Sequence, residues 1–179
     1  DDYSSTEKDL RDAGAGIRLK YGYCYNGGTP STALNEAAGT IGWTIGDQAT
    51  ATAFKNADLL FAKTQAPVSY SHGTAESSNH GILVLPYSHA MSKITVNVTA
   101  NEGFADKANF GSSVLTLKHM QTKSSVNAPA GTVTASTVAD DVKDITTWKS
   151  ATENKTATFQ TILAPGTNLS VDKVIATIS

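Results

Sequence analysis

Apolar and aromatic residues at Ile17, Leu19, Tyr21, Tyr23 and Tyr25 alternate with Arg18, Lys20, Gly22, Cys24 and Asn26. That period of two predicts a strand, which Asn26-Gly27-Gly28 then turns. Residues 31–38 are small and polar, and Ser31 as a cap with Glu36 in the first turns predicts a short helix. Ile41, Trp43 and Ile45 alternate again as a strand, and residues 57–63 form a compact apolar run. Pro67, Gly73 and the pair Ser77-Ser78 mark residues 64–80 as a linker or long surface loop, and a domain boundary falls there.

Beyond it, Ile82-Leu83-Val84-Leu85 reads as a buried strand and residues 86–92 as a turn or a single helical turn. Ile94, Val96 and Val98 alternate as the next strand, and Val114, Leu115 and Leu117 mark another. Residues 122–131, with Pro129 and Gly131, read as loop, 133–138 as a Thr-rich edge strand, and 140–148 as a polar excursion. Residues 156–163 and 173–179 close the series. Short strands separated by turns predict an all-β chain. The polar residues 1–16 read as a leader without a core of its own, followed by an N-terminal domain over 17–66, a linker over 67–80 and a C-terminal domain over 81–179. The last strand signal reaches Ile178, next to the final residue, so the fold is expected to continue past this chain.

Composition sharpens this picture. Leu, Ile, Val and Phe number 36 of 179 residues, whereas Ser and Thr number 41, so the core is expected to be thin. The same excess of Thr favours sheet, because a β-branched side chain fits a pleated surface and loses rotamers in a helix. A net charge of −2, without a basic cluster, argues against nucleic acid as a partner. A single cysteine, Cys24, excludes an internal disulfide and any multi-cysteine metal centre.

Candidate chemistry is sparse. No Gly-x-Ser-x-Gly elbow delivers a serine to a sharp turn, and the carboxylates are not paired for glycoside hydrolysis. His72, Glu76 and His80 would converge on a helix, but Gly73, Ser77 and Ser78 oppose one, which leaves loop histidines. Asp140, Asp141 and Asp144 lack the glycine and closing glutamate of a calcium loop and read as a solvated acidic turn. Trp43, Trp148 and the tyrosines offer stacking surfaces for sugars, against the simpler reading of core and cross-strand packing. No catalytic residue, cofactor or metal is expected.

Two segments carry a resemblance. Asp58-Leu59-Leu60-Phe61-Ala62, followed by His89-Ala90-Met91-Ser92-Lys93-Ile94 after an apolar strand, resembles the signature of the fimbrillin family of fimbrial subunits. The Asp47-Gln48 pair upstream, and Val114-Leu115-Thr116-Leu117, Trp148 and Ile162-Leu163-Ala164-Pro165 downstream, fall in a similar order, so the likeness covers about residues 40–179. The residues themselves give the motif a structural reading: a single helical turn at His89-Ala90-Met91 would drop Met91 onto the sheet while Lys93 stays solvated and Ile94 enters the next strand.

The resemblance implies two transthyretin-like β-sandwich domains, incomplete at both termini, in a subunit displayed on the outer surface of a Gram-negative anaerobe. It further implies a lipoprotein precursor, donor-strand assembly with other fimbrial subunits in a homo- or heteropolymer, and contact with host or bacterial surface ligands. Maturation by an Arg-specific protease in this family makes Arg11, in the polar leader, a candidate processing site. Cys24 lies in a strand signal, outside any lipobox. The alternative reading is an exported monomeric carbohydrate-binding β-sandwich that stacks sugars on Trp43, Trp148 or a tyrosine.

Overall fold

The computed structural model describes residues 17–28, 30–35, 37–70, 86–103, 109–153, 155–166 and 175–179. Among them the order is β1 (Ile17–Tyr25), β2 (Pro30–Asn35), β3 (Thr40–Thr44), α1 (Ala51–Asn56), β4 (Leu59–Tyr70), β5 (Ser88–His89) and β6 (Ser92–Thr99). There follow β7 (Leu115–Gln121), β8 (Lys123–Asn127), β9 (Thr132–Ala135), β10 (Val142–Thr146), β11 (Trp148–Glu153), β12 (Thr156–Leu163) and β13 (Ala176–Ile178). The protein is thus nearly all β, and its ladders are antiparallel. Among the described residues four small sheets have the orders β1-β4-β5, β2-β3-β8-β9, β10-β7-β13 and β11-β12-β6.

Two long segments change sheets partway, and this makes four sheets out of so few strands. β7 and β8 are separated by Thr122 alone, β10 and β11 by Thr147 alone. Both threonines are buried, and each turns its hydroxyl back onto the backbone: Thr122 Oγ1 donates to the Asp141 carbonyl at 2.7 Å, Thr147 Oγ1 to the Leu115 carbonyl at 3.0 Å. Threonine suits such a corner because it satisfies a buried carbonyl and keeps the extended backbone. The larger core cluster draws Ile41, Trp43, Leu59, Met91, Met120, Val126, Ile145 and Leu163 together, and a smaller one holds Leu115, Ala157 and Phe159.

Residues 45–48 stitch these corners to one another. Ile45 N–H donates to the Thr122 carbonyl (2.7 Å), Gln48 N–H to the Thr146 carbonyl (2.8 Å), and Thr146 N–H to Asp47 Oδ1 (2.9 Å). The Gln48 side chain, 0% exposed, then grips Ile162 on both sides of its backbone: Nε2 donates to its carbonyl at 2.8 Å and Oε1 accepts its N–H at 2.7 Å. β11 reaches only Gln160 along β12, so the primary amide supplies the donor and acceptor that the next strand residue would have supplied.

Several expectations are corrected. The described residues of 31–38 form no helix: β2 pairs with β3 instead, and Asn35 Oδ1 accepts Ala38 N–H in the turn that follows. A helix does form at α1, where the Thr50 hydroxyl caps Ala53 N–H; Thr52 within it masks helical propensity. β4 extends through Tyr70, carried by its pairing with β1, so strand occupies residues 64–70 where loop was expected. β8 lies inside the segment read as loop, because the buried side chains on its inner face, Ser124 and Val126, include only one apolar residue. β10 and β11 similarly occupy much of the polar excursion, with only Ile145 deeply buried. Strand β3, from before the expected linker, pairs with β8 from after it, and the larger core takes residues from both sides. The leader over 1–16, residues 71–80 of the linker and the strand expected at 82–85 lie outside the described residues.

At one position the backbone is forced. His119 has φ 60°, a left-handed conformation uncommon for a residue with a Cβ, and it coincides with a register irregularity between β7 and β10. Asp144 braces it, accepting His119 N–H at 3.2 Å and pairing with Lys118 at 2.7 Å. Asp141 is held likewise by Lys123 at 2.7 Å and the Ser136 hydroxyl at 2.6 Å.

Gln48→Ala leaves the Ile162 N–H and C=O buried without partners and is expected to destabilise the fold by about 3 kcal/mol in urea titration. Hydrogen bonds from Lys123 and then Ser136 lower the Asp141 pKa below its ordinary 3.8, against the opposing effect of burial; Lys118 and the His119 N–H do the same for Asp144. A depressed carboxylate pKa gives stability that is present above the ordinary value and is lost as pH falls through the folded one. Urea midpoints measured against pH should therefore fall more steeply in acid for the wild type than for the Asp141→Asn, Asp144→Asn double variant.

Candidate assembly site

The two halves of the sequence motif meet across one short ladder. After α1 the backbone passes Asp58 and enters β4, where Leu60 pairs with His89 and Phe61 with Ser88 of β5. Ala90 N–H donates to the Leu59 carbonyl at 2.7 Å, and His89 Nδ1 lies 2.7 Å from Asp58 Oδ2. Leu59 is 0% exposed, and Ala62, Ala90 and Met91 are buried with it. Small side chains at 62 and 90 suit places where a larger one would have to displace packed neighbours. The backbone at His89 is strand, and a bend at Ala90 and Met91, in place of the expected helical turn, carries Met91 into the core.

The bend delivers Ser92, Lys93 and Ile94 into β6, which pairs with β12 without a bulge from Ser92↔Leu163 to Thr99↔Thr156. Lys93 is exposed with Nζ 5.8 Å from the centre of the Phe54 ring, and Ile94 is half-buried against the larger core. Because Gln48 holds the Ile162 N–H and C=O on the side away from β6, the opposite residue, Lys93, must also direct its backbone groups away from β12. Alternation then turns the N–H and C=O of Thr95, Asn97 and Thr99 the same way. The Ala100 N–H, which donates to the Lys155 carbonyl at 2.8 Å, fits this phase. Among the described residues none pairs with β6 on that outer side. Val96 and Val98 are only half-buried beside it, packed on the smaller core.

An edge of eight residues, free of proline and bulges, with alternating apolar side chains and a single lysine near its start, lacks most of the devices that keep strand edges from pairing. What it offers is backbone hydrogen-bonding groups and apolar side chains. Among the described residues no three potential metal ligands cluster. A shallow depression of about 240 Å³ is lined by Asn109, Phe110, Ser112, Ser113, Ile178 and Ser179, without a histidine, cysteine or carboxylate side chain.

The remaining candidates are placed as follows. Trp43 is fully buried, its Nε1 donating to the Ala57 carbonyl at 2.8 Å, so it cannot be the sugar-stacking platform that the sequence offered. Trp148 is half-buried with its ring 5.2 Å from Phe54. Asp141 and Asp144 are engaged by lysines, and Cys24 is an exposed free thiol on β1. Arg11, His72, Glu76 and His80 lie outside the described residues. Two roles went unread in the sequence: the bidentate grip of Gln48, which the resemblance marked only by position, and that of Lys149, whose ammonium donates to the carbonyls of Phe110, Gly111 and Ser113.

Comparison with known proteins matches residues 22–178 to the family described as Fimbrillin-like. No curated protein matches this sequence. Among solved structures, a candidate cell adhesion protein from Bacteroides ovatus is 22% identical and superposes with a TM-score of 0.52 over 91% of this chain and 54% of its own. A second candidate cell adhesion protein, from Bacteroides uniformis, is 18% identical with a TM-score of 0.49 over 81% of this chain and 48% of its own. The chain therefore spans about half the length of either structure. With the family matched over nearly its whole length, the chain belongs to the Fimbrillin-like family.

Proposed function

We propose that the protein is a structural subunit of a cell-surface fimbria, a pilin or pilus-associated adhesin, whose subunits join non-covalently by strand exchange. Family membership supports the fimbrial role, and the cell-adhesion name of the Bacteroides ovatus protein, which shares the fold, accords with it. The partners are other fimbrial subunits, identical or related, and no catalytic step or cofactor enters. No described helix is long and apolar enough to cross a membrane.

The observation that carries the strand-exchange reading is the outer side of β6. A strand laid along it would gain backbone hydrogen bonds from Lys93, Thr95, Asn97 and Thr99 and would cover Val96 and Val98. Main-chain bonds supply the affinity in such an arrangement, and alternate side chains supply the register. The motif residues Asp58 to Phe61 and Ser88 to Met91 then act as the frame that fixes where β6 begins.

Thr95→Pro removes one outward N–H and leaves the ladder to β12 in place. The naturally processed full-length protein carrying it is expected to melt close to the wild type and to form no fimbriae by electron microscopy; fimbriae of wild-type length would refute the strand-exchange reading. A structural motif also predicts unequal costs within itself. Leu59→Ala should lower stability by about 3 kcal/mol through the cavity it leaves, whereas His89→Ala, which removes a solvent-exposed contact with Asp58, should cost less than about 1 kcal/mol.

A further inference from the structure

The turn between β1 and β2 sets Asn26 apart from every other described asparagine. The Asn35, Asn101, Asn109 and Asn127 side chains accept backbone N–H groups of Ala38, Glu102, Gly111 and Ala130 at 2.6–3.0 Å. Asn97 accepts the Thr158 hydroxyl at 3.0 Å, and Asn56 donates to the carbonyls of Asn26 and Thr52. The Asn26 carboxamide is exposed and has no hydrogen-bond partner among the described residues. It is also the one member of this set followed by glycine. Gly27 is exposed, lies at φ 73°, has no Cβ to shield its nitrogen, and finds no acceptor for its N–H among the described residues.

We infer that Asn26 is a site of spontaneous amide-to-acid conversion in the folded protein. The Gly27 nitrogen, after losing its proton to solvent, attacks Asn26 Cγ; the new bond from that nitrogen to Cγ closes a five-membered succinimide as the Cγ–Nδ2 bond breaks and ammonia leaves. Water then opens the ring at either carbonyl to give aspartate or isoaspartate. One water enters, one ammonia departs, and nothing is oxidised or reduced. A hydrogen bond at the side-chain oxygen fixes the carboxamide of most other described asparagines, and a following side chain hinders the attacking nitrogen in all of them; Asn26 lacks the second restraint, and no described residue supplies the first.

The product matters because the turn is anchored on both sides. The Asn56 amide holds the Asn26 carbonyl, and Gly28 packs so closely on the Trp43 ring and the Asn56 backbone that a Cβ there would overlap them. Isoaspartate adds a methylene to the main chain between β1 and that contact, and either product adds a negative charge. Conversion therefore loosens the attachment of β1 to the Trp43 side of the core.

The test is to incubate the folded full-length protein in neutral buffer made with ¹⁸O water and to follow each asparagine by peptide mass spectrometry. The expected result is that Asn26 gains an acid oxygen from solvent and yields an isoaspartate peptide, while the six other described asparagines stay amides. Gly27→Ala should slow the conversion several-fold, and Asn26→Gln should abolish it while leaving the thermal midpoint near that of the wild type. The aged fraction should melt lower than fresh protein. The inference is overturned if Asn26 stays intact while a free peptide spanning the turn converts, since the folded turn then blocks attack. It is equally overturned if the other asparagines convert as fast.

Discussion

A buried amide closing an unfinished ladder is the constraint on which this architecture rests. Because β10 and β11 are one segment that leaves one sheet for another at Thr147, β12 loses its neighbour just where it enters the larger core. An unpaired peptide group there would cost as much as several well-packed methylenes contribute. Gln48 supplies the missing donor and acceptor from a third element, and the Asp47 carboxylate fixes the corner beside it. The two residues thereby tie β3 to the corner of β10 and to β12. A strand could have filled the gap, but a side-chain amide does so without requiring the backbone to run alongside.

The same logic explains how a protein with more hydroxyls than large apolar residues packs at all. Thr122 and Thr147 are buried at the two corners where strands change sheets, and both return their hydroxyls to main-chain carbonyls. At these two corners the hydroxyl groups act as extensions of the backbone network and need not be counted against the core. What remains apolar is concentrated: Trp43, Leu59, Met120 and Ile145 are all at or near zero exposure within one cluster. The expected thinness is real in composition and is offset by sharing one core among four sheets.

Strands that turn an alternating face toward the core were legible in the sequence, as β3, β6 and β12 show. Elements held by something other than periodicity were not. β8 buries Ser124 beside Val126, β10 buries only Ile145, and β4 runs past Pro67 because β1 pairs with it. α1 depends on a single cap at Thr50 and on Phe54 packing against the larger core, neither of which a window of six residues reveals. The motif at Asp58 to Ala62 and His89 to Ile94 was visible as a resemblance, but that its halves face each other across a ladder depends on contacts between residues some thirty positions apart.

The treatment of β12 and of β6 differs in a way that bears on assembly. Along β12 the structure uses a buried glutamine to satisfy one peptide unit, so an uncovered ladder in the core is not tolerated. Along β6, one strand away in the same sheet, four successive outward-facing peptide units have no described partner, and the neighbouring valines are half-buried. Solvent can serve those backbone groups, but water leaves the valines partly uncovered, and the edge carries neither a proline nor a bulge to discourage pairing. That asymmetry is what supports the proposed assembly through β6. The interior is closed by the protein's own side chains, and the edge is left in the form that another extended segment can complete.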